Sequence, residues 1–247
     1  MSPKEAVILQ YKMAKNEEYV YEITVDSSRE ARSGSESQQD RDTLKMQMTQ
    51  KILGVNGDGS YNLEMLVESK QLVKNDQDIH LDPAVAKPVS VRMKMAKNGD
   101  VLETSLQSPS SQPSFPSRPV FMGETWNGES QVSLQDPTTG QNLPPYALKF
   151  NYNLASIDKL KGYDCARIVV SNPETVIDFS QGFSQKVICS GATYFAVKEG
   201  RLIKSDVETQ IIMSHPEGTL YNTIKISVDL FKAHTPLAGG DEFLISG

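Results

Sequence analysis

Five methionines make the chain's most suggestive chemical pattern. Met46 and Met48 stand two apart in Leu44-Lys-Met-Gln-Met-Thr, Met93 and Met95 repeat that spacing in Val91-Arg-Met-Lys-Met, and Met65 follows in Tyr61-Asn-Leu-Glu-Met-Leu-Val. Residues two apart in an extended strand share a face. Each pair therefore points to one side, and a strand carrying Met65 beside Met46 and Met48 would complete a methionine-lined surface. Such a surface is soft and polarizable and adapts to ligands of irregular outline, as acyl chains are. The same side chains also suit plain core filling. Trp126, the one tryptophan, is open to two readings: a ring on which a ligand stacks, or a packing anchor where two halves of the protein meet, near Phe115 and Phe121.

Other groupings offer less. His80, His215 and His234 are scattered, with no second His or Cys at zinc-ligand spacing. Asp76, Asp78, His80 and Asp82 gather within one short segment; their oxygens could hold a hard cation or simply face water. Asn56-Gly-Asp-Gly lacks the later bidentate Glu of a calcium loop and reads as a hairpin turn. Cys165 and Cys189 each fall in an apolar strand, where they would either bridge neighbouring strands or remain separate buried thiols. No nucleophile elbow, phosphate loop or dinucleotide fingerprint occurs. The expectation is a protein that is not an enzyme, with no cofactor and no metal.

The elements that must position these residues read as strands almost throughout. Tyr19, Tyr21, Ile23 and Val25 alternate with Val20, Glu22 and Thr24, and Ile224, Ile226, Val228 and Leu230 alternate with polar partners. That period of two marks half-buried antiparallel strands. Turns fall at Asn56-Gly57, Asn98-Gly99, Lys161-Gly162, Glu199-Gly200 and Glu217-Gly218. Short helices are expected only in connections, at 82–86 and 174–183. The polar stretch 27–41 reads as a mobile loop, 105–119 with its prolines as a linker, 135–145 as a second loop, and 235–247 as a tail.

One β-rich unit reads as present twice. The hairpin running from Leu44 through Asn56-Gly to Tyr61-Asn-Leu returns as Leu148 through Lys161-Gly to Tyr163-Asp-Cys; Glu17 before Tyr19 matches Glu124 before Trp126, and the turn at Gly99 matches that at Gly200. All four offsets are roughly one hundred residues, the mark of an internal repeat. The predicted fold class is all-β: two homologous antiparallel units, 1–117 and 118–234, forming curved sheets or a half-open barrel, with the tail at 235–247. The second-half counterparts of the methionines, including Phe150, Tyr152 and Tyr194, are bulkier and favour packing.

Charge removes one partner class. A formal net charge of −6 disfavours nucleic acid, which is bound through clustered Lys and Arg. No apolar run approaches the ~20 residues of a membrane-spanning helix, and the first ten residues are too polar for a secretory signal. Membrane association is thus expected only through a leader or lipid anchor outside this sequence.

The order of Glu17-Glu-Tyr-Val-Tyr, the Asn-Gly-Asp-Gly hairpin, Asn98-Gly-Asp-Val, then Phe115-Pro-Ser-Arg-Pro-Val-Phe-Met-Gly-Glu-Thr-Trp126, with the later Leu160-Lys-Gly-Tyr-Asp-Cys-Ala-Arg-Ile, resembles a family of uncharacterised bacterial exported proteins and lipoproteins. In architecture it is similar to the lipoprotein carriers of the bacterial envelope. That resemblance covers most of the chain and brings no catalytic residues. It implies an extracytoplasmic, non-enzymatic binding module whose concave face takes a lipid or a lipidated protein, with Met46, Met48, Met65, Met93, Met95 and Trp126 as candidate ligand-binding residues. The alternative expectation is a structural or protein-interaction module of the envelope with a fully packed interior.

Overall fold

The computed structural model describes residues 6–82, 86–105, 113–132, 146–179, 182–235 and 243–246. Every regular element among them is a strand except a single helical-turn residue at Gly182. In chain order these are β1 (Ala6–Val7), β2 (Glu18–Ser33), β3 (Glu36–Val55), β4 (Tyr61–Lys74), β5 (Gln77–Ile79), β6 (Val89–Met95), β7 (Val101–Thr104) and β8 (Val120–Phe121). They continue as β9 (Thr125–Val132), β10 (Tyr146–Leu160), β11 (Tyr163–Ser171), β12 (Thr175–Asp178), β13 (Ser184–Ala196), β14 (Arg201–His215), β15 (Gly218–Thr235) and β16 (Phe243–Ser246).

Fourteen of them form one antiparallel sheet in the order β7-β6-β4-β3-β2-β15-β14-β13-β11-β10-β9, with β5, β12 and β16 paired at its margins. Its outermost strands do not meet, so the sheet is open rather than a closed barrel. Each half is a meander of consecutive hairpins, and the halves join where β2 pairs with β15 from Glu18 opposite His234 to Arg32 opposite Thr219.

The sheet is curved, and its side-chain pattern says which way. Directly paired residues share a face, which puts Tyr21, Met48 and Val67 on one side with Leu230. On this side, Leu63 and Met93 from one flank join a single buried cluster with Leu154 and Ile168 from the other. Strands so distant in the sheet order reach a common core only if the sheet curls around that face. The opposite, convex face is charged, with Glu18 against Lys51, Glu64 against Arg92 and Glu208 against Lys225. Exposed pairs of this kind contribute little stability; apolar burial on the concave side holds the fold together.

One end of the trough is plugged. The segment after β1 runs between the two halves: Tyr11 donates its main-chain N–H to Lys97 O at 2.7 Å and Lys12 donates to Gly200 O at 2.9 Å. Phe115 donates to Asn98 O at 2.7 Å, and its ring packs with those of Tyr11 and Phe195 at centroid distances of 5.7 and 4.7 Å. Only glycine fits the two turns so clasped. Gly99 has φ +94° and a Cβ there would lie 2.3 Å from Pro113 O; Gly200 has φ +66° and a Cβ would lie 2.5 Å from the Lys12 nitrogen.

The halves repeat one backbone device. Asn16, at positive φ, donates to Ile52 O, Ile52 donates to Glu17 O, and the Glu17 carboxylate accepts from Ala14 N. In the second half Gly123, also at positive φ, donates to Leu154 O, Leu154 donates to Glu124 O, and the Glu124 carboxylate accepts from Phe121 N.

Several expectations need correction. Residues 27–41 are not a mobile loop: β2 and β3 pair without interruption to Ser33 opposite Glu36, turning at Gly34. Both faces of this stretch are polar, which erased the apolar alternation, yet backbone pairing continues regardless. The helix expected at 174–183 is replaced by β12, paired with β13 from Thr175 opposite Val187. The 235–247 tail is not wholly unstructured, because β16 adds to β15 with Lys232 opposite Ser246. The linker is not merely a spacer either, since its end delivers Phe115, 3% exposed, into the core. The loop expected at 135–145 and the body of the short helix expected at 82–86 lie outside the described residues.

The cysteine alternatives are now decided. Their strands β11 and β13 are neighbours, but Cys165 lies opposite Ala196, seven residues along β13 from Cys189. At about 3.3 Å per residue the two are separated by roughly 23 Å, far beyond disulfide reach. Both are free, buried thiols.

Candidate binding surface

Above the plug the trough continues as an apolar floor that none of the described residues covers. The register on β2, β3 and β15 places Ile23 between Met46 and Val228, and Val25 between Leu44 and Ile226. Next on β14, Val207 stands opposite Ile226 and Thr209 opposite Ile224. These side chains are half-buried by their neighbours, and Ile226 remains 38% exposed. Partly exposed apolar residues in single positions are ordinary; a contiguous row across four strands is not.

The five methionines all face this side. Met48 is opposite Tyr21, Met46 opposite Ile23, Met65 opposite Gln50, Met93 opposite Leu63 and Met95 opposite Tyr61. Their depths differ. Met93 and Met95 are 7% and 0% exposed and belong to the core, while Met48 and Met65 pack partly against it and Met46 stands one step further out, on the floor. Three of the five thus stand where an occupant of the trough would touch them.

Trp126 is also on the concave side but far from the methionines, on the edge strand β9. It is not the joint between the halves. Its ring stacks on Tyr152 at 5.7 Å and 15°, its Nε1 is buried without a hydrogen-bond partner among the described residues, and Tyr152 lies against Gly128, where a Cβ would come within 2.7 Å. The joint is built instead by Tyr11, Phe115 and Phe195, while Phe121 is 42% exposed. Trp126, Tyr152 and Phe150 form an aromatic flank facing the methionine flank across the trough. Burial raises the Tyr152 phenol above its usual pKa.

The electrostatics of the deep trough are neutral. From Tyr21 to Ser27 on β2, and at every concave position opposite on β3, β15, β14 and β13 at that depth except Asp42, the side chains are apolar or uncharged. Away from this stretch, charge on the concave side lies at the open rim and at the plugged end, where Arg201 packs over the Tyr19 ring and the Glu17 carboxylate accepts from the Tyr19 hydroxyl. The acidic segment near His80 folds back as β5, where Asp78 accepts from Gln71 Nε2 at 2.7 Å. Among the described residues no three His, Cys, Asp or Glu side chains gather at metal-binding distance. Ile224, Ile226 and Val228 stand out in the sequence only as a strand; their place on the floor depends on pairing with β2, nearly two hundred residues away, which no local pattern encodes.

No family model matches the chain, and no curated protein does. Among solved structures it is similar to lipovitellin, from a study of lipid–protein interactions in that protein, with a TM-score of 0.50 and 10% identity over 94% of this chain and 27% of that one. The class so defined is an open, curved, antiparallel all-β sheet of the kind found within lipovitellin. At that identity the likeness is one of fold, and this chain spans only 27% of lipovitellin's length. DynF from the dynemicin biosynthesis pathway of Micromonospora chersina aligns over 92% of this chain and 86% of its own, but with a TM-score of 0.25 and 5% identity it carries no argument.

Proposed function

We propose that this chain is a non-enzymatic binding module that holds a lipid or another apolar ligand in its concave trough, and that it works outside the cytoplasm. The observation that carries this reading is the apolar floor through Ile23, Val25, Met46, Ile226 and Val228, plugged at one end and otherwise left bare by the described residues. Leaving such a surface bare is unfavourable at about 25 cal/mol per Å² of apolar area, which an acyl chain lying on it would recover. The fold shared with lipovitellin, a protein studied for its lipid interactions, supports it. So does the character of the walls, pliable methionine on one flank and stacked rings on the other. The resemblance to exported lipoproteins supports the location.

The two halves descend, in this reading, from one duplicated unit. Its support is the matched set of hydrogen bonds around Ile52 and Leu154 and the spacing of the turns at Gly99 and Gly200.

The test is native mass spectrometry of the full chain, stripped of lipid and incubated with a long-chain fatty acid and with a diacyl lipid. A stoichiometric adduct is expected with at least one, and Ile226→Glu should abolish it while leaving the circular dichroism spectrum unchanged. Absence of any adduct would overturn the proposal in favour of a protein-interaction module.

A further inference from the structure

At its open rim the concave face carries charge that is not ion-paired among the described residues. Arg29 on β2 lies opposite Asp40 on β3, and Asp42, one step deeper, lies opposite Lys74 on β4. Yet neither Arg29 nor Lys74 has a carboxylate within ion-pair distance among the described residues, although Lys51, Arg92, Lys204 and Lys225 on the convex face all do. Among the described residues the Asp40 carboxylate accepts from Asn75 Nδ2, and Asp42 has a buried Oδ1 with no hydrogen-bond partner. A buried carboxylate oxygen without a donor is unfavourable. At the same depth the concave positions on β15, β14 and β13, Asn222, Ile211 and Val187, have no charged side chain.

We propose that this rim receives the headgroup of a zwitterionic phospholipid, its phosphate facing Arg29 and Lys74 and its ammonium facing Asp42 and Asp40, with an acyl chain running down the trough. This deepens the lipid-holding reading and rests on it. Neighbouring strands are about 4.8 Å apart, so cation and carboxylate alternate across β2, β3 and β4 at the spacing of a phosphate and an ammonium joined by a two-carbon linker. Guanidinium and phosphate make the strong, charge-assisted contact. The length agrees as well. Arg29 to Tyr21 is eight residues, roughly 26 Å at about 3.3 Å each, and one leaflet of a bilayer's hydrocarbon core is about 15 Å deep, so an extended chain fits between the rim and the plug.

Three lipids with identical acyl chains separate the possibilities in native mass spectrometry of the full chain: a phosphatidylethanolamine, a phosphatidylglycerol and a diacylglycerol. The phosphatidylethanolamine is expected to bind about tenfold more tightly than the diacylglycerol, the scale of one added charge-assisted contact. The double variant Arg29→Gln/Lys74→Gln should lose that preference without weakening diacylglycerol, and Asp42→Asn should weaken only the ammonium-bearing lipid. The charge-retaining Arg29→Lys/Lys74→Arg protein should keep most of the preference, which separates a lost headgroup contact from a damaged fold. Equal binding of all three lipids, or a double variant that behaves as the parent, would overturn the headgroup assignment and leave the apolar reading standing. Phosphatidylglycerol binding as tightly as phosphatidylethanolamine would overturn the role given to the aspartates. Failure of all three lipids to bind would overturn the headgroup assignment, and failure of a long-chain fatty acid as well would remove the lipid-holding reading itself.

Discussion

Ile52 and Leu154 occupy the same backbone setting in the two halves of the sheet. Each is fully buried, at 1% and 0% exposure, and each exchanges main-chain hydrogen bonds with a glutamate and the positive-φ residue just before it. Truncating either one would open a cavity where the chain has least freedom to collapse. Ile52→Ala and Leu154→Ala should each destabilise by about 2–5 kcal/mol, read as a shift in urea midpoint with unchanged slope. If one proved much cheaper than the other, the two settings would not be mechanically equivalent.

The clasped turns give a graded prediction. Gly34 has φ +57° with open space around it, whereas the Cβ of an alanine at Gly99 or Gly200 would collide with Pro113 O or with Lys12 N. Gly34→Ala should lower stability by about 1 kcal/mol, from left-handed strain alone. Gly99→Ala and Gly200→Ala should lose at least about 2–3 kcal/mol, because the strap must also move. Thermal melts of the three variants side by side measure the difference.

Both thiols should be chemically quiet in the native protein. Burial pushes the Cys165 thiol from 9.0 up to about 11, and raises Cys189 as well. Since the thiolate is the reacting species, Cys165 should react roughly a hundredfold more slowly than a free thiol at pH 8. Alkylation followed by intact mass should show two modified cysteines only in denaturant, and fast labelling of the folded chain would contradict the buried placement.

Alkaline conditions should unfold the protein early. Burial also lifts the phenols of Tyr11, Tyr19 and Tyr21 above their ordinary 10.0. A group that holds its proton more tightly when folded makes stability fall as pH rises from its unfolded value towards its folded one. The urea midpoint should therefore be level with respect to these groups until about pH 9, decline from 9 to 11 as the unfolded Cys165 thiol ionises, and fall more steeply above 10 as the tyrosines join. A midpoint that stays flat to pH 11 would mean these groups ionise as freely in the folded state as in the unfolded one.

Much of this architecture was legible locally. Alternation in 19–25, 61–67 and 224–230 announced half-buried strands, and glycine turns announced their hairpins. What escaped had physical causes. The outer halves of β2 and β3 carry polar side chains on both faces, so no hydrophobic period marks them as strands. β12 is four residues long, and β16 gains its place only by adding to β15, a partner no local window reveals. For the trough, spacing placed Met46 and Met48 on one face correctly, but depth is a property of the curled sheet. Only curvature separates Met95, sealed in the core, from Met46, open above it.

The pairing of β2 with β15 has a consequence for how the protein is made. Glu18 finds its partner at His234, and Lys12 finds Gly200. A nascent chain leaving the ribosome must therefore carry one long, unsatisfied edge of β2 until β15 has emerged. Contacts so remote in sequence make for slow maturation and leave a sticky intermediate in the meantime. The polar, charged outer reach of β2 is well suited to that wait, since it keeps the orphan border soluble and discourages it from zipping onto a neighbouring copy.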